Sequence, residues 1–178
     1  MDSEWRIRPE SGECAEFYRG YIAGVPDGDI RMTLALGLEQ TLRLLWEIPA
    51  ERESVAYAPG KWTVKEVVGH LTDAERVFAC RALRFGRGDE TPLPGFEQDD
   101  YVRRGGFEAR TLTDLASEFE HLRRANLLLF RGFEAEALGR KGVASGHEIT
   151  VRALLWIMAG HELHHVAILR ERYVTGGP

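Results

Sequence analysis

The sequence has 178 residues, 44% of them hydrophobic, and a formal net charge of -5 at pH 7. That length suits one domain spanning residues 1–178 with a sizeable core, and an acidic chain whose basic residues are interleaved with acids is not expected to bind nucleic acid. The opening MDSEWRIRPESGE lacks the apolar centre of a signal peptide, and no run of about eighteen apolar residues could span a bilayer, so a cytoplasmic protein without membrane contact is expected.

In chain order, Phe17, Tyr18, Tyr21 and Ile22 repeat at helical spacing before the breakers Gly24, Pro26 and Gly28, which predicts a short lead-in helix. The first long helix is expected over Ile30 to Ile48, with Leu34, Leu38, Thr41, Leu42 and Leu45 on one face and Pro49 closing it. The second begins at Thr63, whose partner Glu66 makes a capping box, and runs from Val64 to about Phe85. Trp62, just ahead of the cap, reads as a hydrophobic staple. Gly86 to Arg110 is rich in Gly, Pro and acids, and a connection that long reads as a crossover or a functional loop. A third long helix is predicted from about Thr111 to Phe133, with a stripe of Leu115, Phe119, Leu122, Asn126, Leu129 and Phe133. Gly139 to Gly146 reads as a flexible connection with no convincing strand pattern. Thr150 then caps a last helix reaching about Tyr173. Four amphipathic helices predict an all-α four-helix bundle, and the long connection between the second and third argues against a plain up-down array. Cys14 and Cys80 lie outside any zinc-type spacing and read as free thiols.

The most demanding stretch is Leu154 to Arg172. With Leu154 as reference, Met158, His161, His165, Ile168, Leu169 and Arg172 fall within about 60° of one direction, while Glu162 and His164 lie about 80° off on opposite flanks. Two buried imidazoles one turn apart need partners for all four nitrogens, and a shared divalent cation meets that need. His70 lies on the inward side of its own helix, with Ala74, Val77 and Arg81 within about 40° of it, and is the natural third ligand. Three imidazoles leave a coordination position open, which is the catalytic rather than the structural pattern, and Zn, Ni, Mn and Fe all accept imidazole. Glu162 and Asp73 flank the ligand faces and are candidates to orient an imidazole or handle a proton. Trp156, about 200° from the stripe, is expected either under a loop or at a subunit contact.

Two rival metal readings are weaker. His161-Glu162-Leu163-His164-His165 satisfies HExxH, the metalloprotease helix, but the only downstream residue that could complete its ligand set is Glu171. ExxH occurs at Glu118 to His121 and at Glu162 to His165, as in di-iron bundles, yet His121 points about 120° away from its apolar stripe and should be solvated. His147, in a polar loop, should be at the surface, and His164 near or on it.

The string Gly60-Lys61-Trp62-Thr63-Val64-Lys65-Glu66-Val67-Val68-Gly69-His70-Leu71, with Asp73 and Glu75, resembles the first signature of the DinB-like proteins. Gly160-His161-Glu162-Leu163-His164-His165 resembles their second, and Leu93 to Tyr101 their crossover segment. The resemblance implies a four-helix bundle with a long crossover, often a homodimer, holding a divalent ion on His70, His161 and His165. It also implies activities of a hydrolase type, or transfers and isomerisations that use a low-molecular-weight thiol such as bacillithiol, mycothiol or glutathione. The expectation is therefore a metal-dependent enzyme activating a thiol or water on a small-molecule substrate. The alternative is a noncatalytic metal- or ligand-binding stress-response protein.

Overall fold

A computed structural model of the protein describes residues 3–175. Helix α1 (Arg19–Ala23) follows short 3-10 turns and precedes α2 (Ile30–Glu47), whose N-cap Asp29 accepts a hydrogen bond from the Arg31 amide. Helix α3 (Val64–Gly86) starts at the expected capping box, in which Thr63 and Glu66 accept from each other's backbone N–H. The crossover folds a short helix, α4 (Gln98–Arg104), against α3. Helix α5 (Leu112–Arg131) is capped by Thr111, and α6 (Val151–Leu169) by Thr150. After α6 the chain continues as a single π-helical turn, Arg170–Val174.

The expected flexible connection before α6 is instead a hairpin of β1 (Lys141–Ala144) and β2 (His147–Thr150), paired Lys141 to Thr150 and Ala144 to His147. Ser145 and Gly146 turn it with φ of 54° and 78°, the doubly positive geometry of a two-residue hairpin. Four-residue strands leave too short an alternation to stand out from loop.

Helix α3 packs against α5 and α6, and α2 packs against the same two helices, so α2 and α3 stand diagonally across the bundle. The apolar core divides along the bundle axis. One cluster gathers the first turns of α2 and α6 with the last turns of α3 and α5; the other gathers the last turns of α2 and α6 with the first turns of α3 and α5. Hence α3 and α5 run parallel, which is what a long crossover between them requires. Between the clusters lies a layer of buried polar residues: Thr41, His70, Glu75, Arg123, Asn126, His161, Glu162 and His165.

Helix α6 is buried on every side from Val151 to Glu162 save Arg152, so a single inward stripe understates it. Trp156, opposite that stripe, is 0% exposed and lies under the N-terminal segment, with the Arg8 guanidinium 4.6 Å above its ring. On α5 the buried face includes Arg123 and Phe130, whereas Leu122 and Leu129 of the expected stripe are only partly covered. Cys14 is buried and Cys80 exposed, both free.

Candidate metal centre

The second turn of α3 delivers His70 into the polar layer, and α6 delivers His161 and His165 from consecutive turns. Gly160 lets α1 cross α6 here, since a Cβ at that position would meet the Tyr21 carbonyl oxygen at 2.1 Å. The Tyr21 ring consequently rests edge-on, 5.5 Å from the His161 ring centre.

The three imidazoles converge through one kind of atom. His70 Nε2 lies 2.9 Å, and His165 Nε2 3.2 Å, from His161 Nε2. A neutral imidazole nitrogen carries either one hydrogen or one lone pair, so His161 Nε2 cannot donate to both neighbours. Burial pushes the His70 pKa down to about 4 and that of His165 to about 3, and burial together with the neighbouring imidazoles holds His161 well below its ordinary value. At neutral pH the rings are therefore uncharged and their lone pairs available. Tetrahedral donors at a metal–nitrogen distance of 2.0–2.1 Å stand about 3.3 Å apart, and all three donor atoms here lie within 4.8 Å of one another. The donor set fits a single divalent ion, with at least one coordination position left for a further ligand.

That position has access. A cavity of about 320 Å³ opens beside His165, lined also by Tyr57, Lys61, Trp62, Val67, Asp99 and Ile168. Trp62 is not a simple staple. Its ring stacks at 20° on His165, 6.3 Å away, and lies 4.7 Å from His70, while its carbonyl accepts a 2.6 Å hydrogen bond from the Tyr173 hydroxyl. Asp99, at the start of α4, lines the cavity, and its charge reaches His70, where it opposes the effect of burial. Asp99 was not singled out from sequence, because an acid in a Gly- and Pro-rich connection reads as solvated.

The two acids expected beside the ligands are committed elsewhere. Glu162 accepts from Thr41 Oγ1 at 2.7 Å and from Arg123 Nη1 at 2.7 Å. Asp73 pairs with Arg76 at 3.5 Å, and burial raises its pKa against that pairing. Among the described residues neither carboxylate hydrogen bonds an imidazole. The metalloprotease reading loses its base with Glu162, and Glu171 is exposed and paired with Arg172. The di-iron reading fares no better: His121 is exposed on a Ser117 carbonyl, and Glu118 pairs with Arg76 and Arg110. His147 is exposed on β2, and His164 is exposed beside Tyr21.

A four-helix bundle with three imidazoles turned inward onto one point is the architecture of metal-site helical bundles. Within that class, residues 33–169 match the DinB superfamily, and the chain belongs to it. It is similar in structure to YfiT from Bacillus subtilis, described as a probable metal-dependent hydrolase with an unusual four-helix bundle topology (TM-score 0.73, 18% identity, 93% of this chain and 91% of that one). It is also similar to a mycothiol-dependent maleylpyruvate isomerase (TM-score 0.65, 16% identity, 82% of this chain and 61% of that one). A third likeness is to a DinB-like protein of Bacillus subtilis (TM-score 0.57, 22% identity, 80% and 87%). No curated protein sequence matches significantly. At these identities the likenesses establish the fold. Among the described residues no helix is long and apolar enough to cross a membrane.

Proposed function

We propose that the chain is a single-domain, divalent-metal-dependent enzyme in which His70, His161 and His165 hold the ion and the adjoining cavity receives a small molecule. The observation that carries this reading is the convergence of three buried, uncharged Nε2 donors beside an open cavity. A divalent ion on such a set lowers the pKa of a bound water or holds a thiol as thiolate, giving a nucleophile at neutral pH. Zn, Ni, Mn and Fe all accept imidazole donors.

The protein's own groups supply the rest. Trp62 packs on two of the three imidazoles and keeps their rings from turning. Asp99 faces the cavity as the carboxylate available to take a proton from the incoming nucleophile, a role for which Glu162 and Asp73 are poorly placed. Tyr57, Val67 and Ile168 give the substrate an apolar bed, and Lys61 offers a cation at its edge.

The activity is thiol S-transfer or hydrolysis; the neighbours' names, a probable metal-dependent hydrolase and a mycothiol-dependent isomerase, support hydrolysis and the use of a thiol. Loading the protein with each of the four metals and incubating it with electrophiles and with bacillithiol, mycothiol or glutathione separates them. Metal-dependent loss of thiol identifies a transferase, and ester or amide cleavage without thiol a hydrolase. An ion-bound protein inert towards both would be a binding protein. The protein is proposed to act in the cytoplasm, away from nucleic acid, as a homodimer. Met32 and Leu36, one turn apart on α2, and Leu128 on the neighbouring α5 are each more than half exposed and suit a subunit contact. Sedimentation of wild type against Leu36→Asp tests the dimer.

A further inference from the structure

Behind the imidazoles the polar layer contains a second buried cluster. Arg123 Nε and Nη2 donate to Glu75 at 2.8 and 2.7 Å, and its Nη1 donates to Glu162 at 2.7 Å and to the Leu34 carbonyl at 2.8 Å. Asn126 Nδ2 donates to Glu75 at 3.0 Å, and Thr41 to Glu162 at 2.7 Å. All four bundle helices contribute. Helix α2 approaches so closely that a Cβ at Gly37 would meet Glu162 Oε2 at 2.8 Å. Glu75, Arg123 and Glu162 are 3%, 1% and 2% exposed, so this is a closed interior site.

The formal charges do not cancel, because two carboxylates face one guanidinium. Burial works against the Arg123 charge, but Glu162 and Glu75 outweigh it and raise the pKa, so the cation is secure. The cluster carries a formal excess of one negative charge in surroundings where an unbalanced ion is strongly disfavoured. A cleft of about 10 Å³, room for one water, is lined by Glu75, Arg123 and Glu162 together with His161.

We infer that the Glu75–Arg123–Glu162 cluster is the counter-charge of the metal centre, its unbalanced carboxylate favouring a dication on His70, His161 and His165 and setting how tightly that ion is held. This rests on the assignment of those imidazoles as ligands. The cluster residues are positioning residues, acting through His161 and through space. Their effect is opposite in the two forms of the protein: the excess charge strains the ion-free fold and is relieved when the ion binds.

Zinc affinity, measured by competition with a chromophoric chelator, tests this, together with melting temperatures with and without zinc. Glu75→Gln removes the excess charge and keeps the shape; it should weaken zinc binding about 10- to 100-fold and shrink the rise in melting temperature that zinc confers. Asn126→Leu removes a hydrogen bond to the same carboxylate without changing charge, and should lower melting with and without zinc alike while leaving affinity within about threefold. Glu162→Gln removes the charge from the other side and should repeat the Glu75→Gln result, which keeps the test decisive if one variant fails to fold. Equal affinities for wild type and both Gln variants would overturn the counter-charge role while leaving the ligands in place. So would an Asn126→Leu loss as large as that of Glu75→Gln. A wild type that binds no zinc, nickel, manganese or iron would overturn the ligand assignment itself, and this inference with it.

Discussion

The polar layer contains two buried clusters built on opposite principles. In the Glu75–Arg123–Glu162 cluster the guanidinium donates to acceptors on the three other bundle helices, and the cleft beside it is water-sized. In the His70–His161–His165 cluster the donor atoms crowd one another, and the neighbours are aromatic rings rather than acceptors. A cavity also reaches it from outside. The first cluster has its hydrogen bonds met without a ligand and lacks only a balancing charge. The second is satisfied by something that takes three lone pairs at once. The contrast separates what holds the bundle together from what the bundle is built to hold.

Breaking the first cluster should have the largest effect. Arg123→Met leaves two buried carboxylates facing each other and is expected to cost about 3–5 kcal/mol, read as a fall in the urea midpoint with or without metal. Asp99→Asn should spare both metal content and folding while slowing turnover about 100-fold, once the thiol and ester panels have identified a substrate. Unchanged turnover would remove Asp99 from the proton path.

Acid should act on the second cluster. His70 and His165 are held at about 4 and about 3 in the fold, against 6.5 for a free imidazole. The unfolded chain therefore takes up protons first as pH falls. The stability of the ion-free protein is complete above pH 6.5 and is lost progressively towards pH 4, with each imidazole contributing up to about 1.4 kcal/mol per pH unit. Bound metal should be released in the same descent, because protonation removes its lone pairs. A flat melting temperature between pH 7 and 5 would contradict this. The smallest effect belongs to Thr41→Val, which removes one charge-assisted hydrogen bond to Glu162 and should cost about 1.5 kcal/mol, read from the urea midpoint.

The sequence displayed the His cluster more openly than the carboxylate cluster, for a physical reason. Histidines on an apolar face are conspicuous, and the capping residues Thr63, Thr111 and Thr150 set the helix starts to within a residue. Glu75 and Arg123 look like ordinary solvated helix charges, since only their mutual pairing across the bundle makes their burial tolerable. Asn126 within an apolar stripe was the one outward sign of them. Trp62 was visible as an aromatic at a helix entry, but its contact with His70 and His165 depends on how α6 meets α3, which periodicity does not specify. A single apolar stripe does not convey the all-round burial of α6. The β1–β2 hairpin was hidden by its brevity, and the place of Asp99 in the cavity wall by the irregular chain around it.

Elemental analysis of untagged protein, purified without added metal or chelator, tests the central assignment most directly. The account predicts close to one divalent ion per chain in wild type and none in the His161→Ala, His165→Ala double variant. Stoichiometric metal retained by the double variant would contradict it.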